Sequence, residues 1–233
     1  MKILFINFNI GGFAGDTPQA QFIIKGLQEL GHEVLFVVTD GEAFYFDEQK
    51  MKSYSPIRQK LLNSRGKIIQ INGINVLPVH CLTNKFGLYC PSAAKVARQI
   101  IKDYDIVYAT NWYYHLGMVF SKIAHECNIP FVICAMASLQ EKAKKTNASL
   151  QKSIADILYT KQMISHTSGF HSMGGTETDV YTQWGADPKK IYRIDHGLVL
   201  DNFKIKKRTG ILERINLDKN NRYILFVGRI DQK

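Results

Sequence analysis

The chain begins with a run that leaves few choices of fold. Met1-Lys-Ile-Leu-Phe-Ile-Asn-Phe-Asn-Ile is apolar and β-rich, Gly11-Gly12-Phe13-Ala14-Gly15-Asp16-Thr17-Pro18 follows, and an amphipathic segment then ends at Leu30-Gly31. Strand, glycine loop and helix in that order are the unit that opens most doubly wound α/β domains, and they put a ligand site at the loop. Glycines there let a ligand approach the backbone. The free N–H groups of the next helical turn, backed by the helix dipole, favour an anion such as a phosphate. The spacing is Gly-Gly-x-x-Gly, neither Gly-x-Gly-x-x-Gly nor a triphosphate loop with Lys-Ser/Thr, so glycines serving only a sharp turn remain an equal reading.

The same alternation continues to the end of the chain. Asp16 or Thr17 is the expected N-cap of the first helix, with Pro18 at its first position and Gly31 past its end. Ala20, Ile23, Ile24, Leu27 and Leu30 form its buried stripe. Glu33 to Val38 is nearly all apolar, as suits a parallel strand covered on both faces. Between Asp40 and Arg65 the pattern loosens, and Ser55-Pro56 is expected to start a short helix that Gly66 stops. Lys50, Lys52, Arg58, Lys60, Arg65 and Lys67 surround Met51, Tyr54, Ile57, Leu61 and Leu62 there. This is either a solvated face or a patch for anionic lipid headgroups.

Asn72-Gly73 between Ile68–Ile71 and Ile74–Val79 predicts a two-residue hairpin or a pair of edge strands. A helix is expected from Pro91 to about Lys102, a strand over Ile106–Ala109, a helix after the loop Thr110–His115, and a strand over Phe131–Ala135. Ser149 or Leu150 should begin a long helix to about Ile164. Gly169–Ser172, Thr176–Trp184 and Ile191–Ile194 follow as strand, helix and strand, with a turn at Asp195-His196-Gly197. The fold class is therefore α/β, a doubly wound Rossmann-like domain with a mostly parallel sheet and a ligand crevice at the C-terminal strand edge. Three parts are expected: a domain over 1–205, a charged linker over 206–221, and over 222–233 a strand that needs a partner.

Composition narrows the partners. The 233 residues, 45% hydrophobic, suffice for a full core, and no apolar run reaches the length of a membrane span. With no signal peptide at the start, a cytoplasmic location is expected, with peripheral contact at the inner membrane face open. A net charge of +10 calls for an anionic partner. Its scattered cations, and the lack of a nucleic-acid-binding motif, argue against nucleic acid. Cys81, Cys90, Cys127 and Cys134 show no C-x-x-C pair or zinc spacing, so buried free thiols are expected and no metal is called for. Asn147-Ala148-Ser149 matches a glycosylation sequon that a cytoplasmic protein would not use.

Several segments in order resemble the N-terminal part of a GT-B glycosyltransferase of the family 4 type. These are the Gly11-Gly12 loop, Leu30-Gly31-His32-Glu33-Val34, Asp105-Ile-Val-Tyr108, Asn128-Ile-Pro-Phe-Val132, Lys190 to Gly197, and Ile224-Leu-Phe-Val-Gly-Arg229. The resemblance implies a retaining, nucleotide-sugar-dependent enzyme with two Rossmann-like domains. The N-terminal domain, represented here, takes a glycan or lipid-linked acceptor, and the C-terminal one holds the nucleotide-diphosphate sugar as co-substrate. No metal is implied. It places Gly11 and Gly12 at the donor diphosphate and Arg229 and Lys233 as the cations that neutralise the leaving group. Asp16 becomes a candidate catalytic residue, although capping the first helix is an equal reading. Asn111, His115, Met136 and Ser138 fall where the cleft is expected.

Departures from the family pattern matter as well. Met136-Ala137-Ser138 stands where many members carry a His-Gly pair, and a thioether neither donates a hydrogen bond nor moves a proton. Front-face displacement, in which the departing phosphate deprotonates the acceptor, does not need that histidine. For His115 the competing reading is a helix-start residue stacked among Trp112, Tyr113 and Tyr114. His166, His171 and His196 read as structural. The family's C-terminal glutamate motif would lie beyond Lys233, so the chain alone is expected not to turn over. Two other classes stay open: a degenerate, non-catalytic transferase that binds a glycan or partner, and a nicotinamide-dependent oxidoreductase with Asp40 as the ribose acid.

Overall fold

The computed structural model describes residues 1–10, 16–41, 48–84, 87–136, 138–139, 156–195, 197, 210, 214–218, 220–224 and 226, without the side chains of 16–18, 48–55, 83, 84, 87, 88 and 157. The chain divides into two compact units, Met1–Gly197 and Leu198–Lys233.

The first unit is built on an eight-stranded sheet. Its strands are β1 (Lys2–Ile6), β2 (Glu33–Thr39), β3 (Ile69–Ile71), β4 (Ile74–Val79), β7 (Ile106–Thr110), β8 (Phe131–Cys134), β9 (Gly169–Ser172) and β10 (Ile191–Arg193). They lie in the order β10-β9-β8-β7-β1-β2-β4-β3. All neighbours are parallel except β3 and β4. A separate hairpin joins β5 (Leu82–Asn84) and β6 (Gly87–Tyr89). The helices are α1 (Asp16–Glu29), α2 (Glu48–Asn63), α3 (Ala93–Ile100), α4 (His115–Glu126), α5 (Lys161–His166) and α6 (Gly175–Gln183).

Strand β1 shows why the sheet is covered on both sides. Its side chains alternate: Ile3 and Phe5 enter one core with Ala20 and Ile24 of α1, and Leu4 and Ile6 enter the other with Ala97 of α3 and Phe120 of α4. A run apolar at every position can satisfy both faces only in a central parallel strand. Full burial of a side chain such as Phe5 contributes about 1.5–3 kcal/mol relative to leaving it exposed.

Most expected elements are present within a residue or two. Gly31 ends α1 at φ +82°, and Asn72 and Gly73 close the β3–β4 hairpin at φ +53° and +80°. Both turn residues having positive φ is the type I′ geometry, whose twist matches that of the flanking strands.

One expectation is corrected, and one element is added. Helix α2 starts at Glu48 and carries Pro56 inside it. Pro56 removes one backbone donor from a helix that its neighbours still sustain. The β5–β6 hairpin follows directly after β4, where the sequence gives a short segment without clear alternation. Of the strand expected over 222–233, only 222–224 and 226 are among the described residues, and Ile224 and Phe226 are 103% and 80% exposed. Nearby, Asp218 anchors a turn, with its side chain accepting from the Asn220 N–H (2.9 Å) and its carbonyl from the Tyr223 hydroxyl (2.7 Å). The sequon and the start of the expected helix at Ser149 or Leu150 lie outside the described residues. Its end is present as a π-helical turn, Asp156–Thr160, that runs into α5.

Candidate functional site

In this sheet, the connection from β1 leads to β2 on one side while the connection from β7 leads to β8 on the other. Adjacent loops that leave in opposite directions open a crevice between β1 and β7, where ligands of doubly wound sheets bind. The glycine loop follows β1 and the loop of Asn111 follows β7.

Three buried amides, Asn7, Asn9 and Asn111, line the sheet end there. Asn7 and Asn9 are each 1% exposed and Asn111 is 7% exposed. The Asn111 Nδ2 group donates across the crevice to Asn7 Oδ1 at 3.4 Å, and that oxygen also accepts the Phe8 N–H at 2.6 Å. A polar residue at the end of an otherwise apolar strand is the signal that could have marked Asn7 and Asn9.

The backbone at this edge is held in an uncommon conformation. Asn111 has φ +68° and Met136, just past β8, has φ +50°. Left-handed residues other than glycine cost of the order of 1–2 kcal/mol and persist only where surrounding bonds hold them. Here the bonds are visible. The Asn111 N–H donates to the Cys134 carbonyl (2.9 Å), and the Trp112 N–H donates to Ser138 Oγ (2.8 Å), whose hydroxyl in turn donates to the Ala135 carbonyl. The Ala135 N–H donates to the Tyr181 hydroxyl (2.7 Å), which donates to the His171 carbonyl (3.2 Å). The β7 and β8 loops are thus tied together and anchored to α6 and β9.

A second chain of bonds supports the first from beneath. The buried Trp112 ring donates through Nε1 to Thr160 Oγ1 (3.1 Å), and the Thr160 hydroxyl donates to Asp156 (2.8 Å). Tyr113 also donates to Asp156 (3.0 Å). Asp156 and Thr160 are the ends of the π-helical turn, a distortion that often accompanies functional sites.

The expected site residues fall into two groups. Asn111, Met136 and Ser138 meet at the crevice edge. Ser138, however, spends its hydroxyl as a brace between the two loops. Gly11, Gly12, Arg229, Lys233 and His196 lie outside the described residues. Asp16 is the first residue of α1, and its side chain lies outside the described ones.

His115 starts α4 as expected but has a different neighbour. Its ring lies 4.6 Å from that of Tyr89 on the β5–β6 hairpin, and its Nδ1 accepts the Cys90 N–H at 3.3 Å. Burial holds its pKa below the ordinary value, which matches the accepting role of Nδ1. His171 is structural: its ring joins the Tyr108 hydroxyl (2.6 Å) to the Ile194 carbonyl (2.8 Å).

Asp40 is not free to take a ribose. Its buried carboxylate accepts the Cys81 N–H at 2.8 Å and is paired with Arg65 and, at 3.4 Å, His80. That weakens the nicotinamide reading. No group of three or more metal-ligating side chains occurs among the described residues, and no described helix is long and apolar enough to cross a membrane.

The sequence matches no protein-family model and no curated protein. Solved structures do share the fold. Anabaena HepE in complex with UDP and glucose superposes with a TM-score of 0.57 at 15% identity, over 93% of this chain and 50% of that one. A sucrose-phosphate synthase from Thermosynechococcus elongatus gives 0.59 at 10% identity, over 93% and 53%. UDP-N-acetylglucosamine 2-epimerase from Rickettsia bellii gives 0.55 at 12% identity, over 94% and 52%. The chain spans about half the length of each of these proteins. Residues 1–197 thus form a doubly wound, Rossmann-like domain of the kind that makes the N-terminal half of a GT-B fold.

Proposed function

We propose that this chain is the N-terminal, acceptor-binding part of a retaining glycosyltransferase of the family 4 type. That enzyme moves a sugar from a nucleotide-diphosphate donor to a glycan or lipid-linked acceptor. The observation that carries the reading is the crevice between β1 and β7, edged by the braced, left-handed Asn111 and Met136. Its support from outside is fold-level: HepE, of the same fold, was solved with UDP-glucose.

In this scheme Gly11 and Gly12 offer backbone N–H groups to the donor diphosphate, and Arg229 and Lys233 neutralise it from the donor side. Asn111, His115 and Met136 face the acceptor, Ser138 fixes the loop that carries Met136, and Asp16 is the candidate catalytic residue at the start of α1. No metal has a role. Met136 has no proton to move, so the departing phosphate takes the acceptor proton. The basic chain suits both the diphosphate and a peripheral position at the inner, cytoplasmic membrane face.

The division of labour is tested by a transfer assay. The purified 233-residue chain, given UDP-glucose and a panel of glycan and lipid-linked acceptors, should transfer no sugar by itself. Detectable transfer would overturn the assignment of donor binding to a second domain.

A further inference from the structure

The cleft reading leaves unused a pair of thiols beside it. Cys81 follows β4, Cys90 precedes α3, and between them lies only the β5–β6 hairpin. That hairpin pairs Leu82 with Tyr89, so Cys81 and Cys90 stand opposite each other one step further out. Opposed residues of an antiparallel pair have Cα atoms about 4.5–5.5 Å apart, and a disulfide needs about 4.4–6.8 Å. Both side chains belong to one apolar cluster and are hydrogen-bonded to each other through sulfur. Both are free thiols.

The two sulfurs are not equivalent. The hydrogen bond from Cys90 holds the Cys81 thiol below its ordinary value, although burial and the Asp40 charge oppose this. The same bond, with burial, pushes the Cys90 thiol up. Cys81 is also the more accessible, 7% exposed against 1% for Cys90. A thiolate is the attacking species in exchange, so Cys81 has the character of the nucleophile and Cys90 of the resolving thiol.

We propose that Cys81 and Cys90 are a redox-active dithiol that closes to an intramolecular disulfide by exchange with a low-molecular-weight disulfide such as glutathione disulfide. The Cys81 thiolate attacks one glutathione sulfur, the glutathione S–S bond breaks, and one glutathione leaves as its thiolate. Cys90 then loses its proton to water and attacks the Cys81 sulfur, which breaks the mixed disulfide and releases the second glutathione. The protein loses two electrons and two protons, and the glutathione disulfide ends as two thiols. Closure staples the open end of the hairpin whose Tyr89 lies against His115, at the residue whose N–H binds His115. The proposal is independent of the transferase reading.

The test is peptide mapping by mass spectrometry. The native chain is incubated with glutathione disulfide, quenched in acid and alkylated, with far-UV circular dichroism recorded in parallel. Two of the four cysteines should be lost to alkylation, as a peptide pair linking Cys81 to Cys90 that dithiothreitol reverses. Cys127 and Cys134 should stay alkylated. In Cys90→Ser the reaction should stop at a glutathione adduct on Cys81, and if that variant does not fold, the wild-type map decides. No link, a link between other cysteines, or a link formed only once the circular dichroism signal is lost would overturn the proposal.

Discussion

At the scale of single residues, the crevice edge depends on side chains that hold backbone in place. Asn111→Gly and Asn111→Ala both remove the amide that reaches Asn7, but only alanine must occupy φ +68° with a Cβ. Urea denaturation should therefore find the alanine variant less stable than the glycine one by about 1 kcal/mol. Equal stability would mean that the left-handed backbone is not imposed at this position. Tyr181→Phe removes the partner of the buried Ala135 N–H, at a cost of about 1–3 kcal/mol by the same measurement. His115 gives the pH dependence. Its folded pKa lies below the unfolded value of about 6.5, so the unfolded chain takes up the proton first as pH falls. Its contribution is complete above pH ~6.5 and is lost as pH falls through that value towards the folded pKa. The denaturation midpoint should drop between pH 7 and pH 5, and His115→Gln should flatten that drop. Little of this was legible in the sequence. Asn111 was picked out from the loop after β7 and Met136 from its place where the resemblance puts a histidine, whereas the backbone around them is held by the bonds of Asn111 to Cys134, Trp112 to Ser138 and Ala135 to Tyr181, which no local pattern encodes.

At the scale of elements, legibility followed how local the governing physics is. The β3–β4 hairpin was readable because Asn72-Gly73 carries its turn chemistry in two residues. The first helix was readable from its stripe and from Gly31. The start of α2 was not. A proline usually marks a helix entry, and here Pro56 sits well inside, exposed, in a helix whose preceding residues have no breaker of their own. Pro56→Ala should restore one backbone bond and raise stability by up to about 3 kcal/mol, read from the urea midpoint. A decrease would mean that the proline's limit on the unfolded chain outweighs the lost bond. The β5–β6 hairpin was missed because three-residue strands show too little alternation.

At the scale of the whole molecule, alternating strands and helices determined the architecture, and the strand order then located the crevice. The order itself was not in the sequence. Which strand lies beside which depends on contacts such as β1 with β7, far apart in the chain. Once that order is known, Asn7, Asn111 and Met136 cease to be separate positions and belong to one sheet edge. The other candidates, Arg229 and Lys233, belong to the second unit. The most direct test of the central claim is titration of the isotopically labelled chain with UDP, followed by amide chemical shifts, with NADH as a control. Shifts should gather at the C-terminal strand edge, at the residues assigned to the diphosphate, Gly11 and Gly12, and the adjoining Asn9, with none produced by NADH. Absence of any shift with UDP, or shifts gathered at the opposite strand edge, would contradict the account.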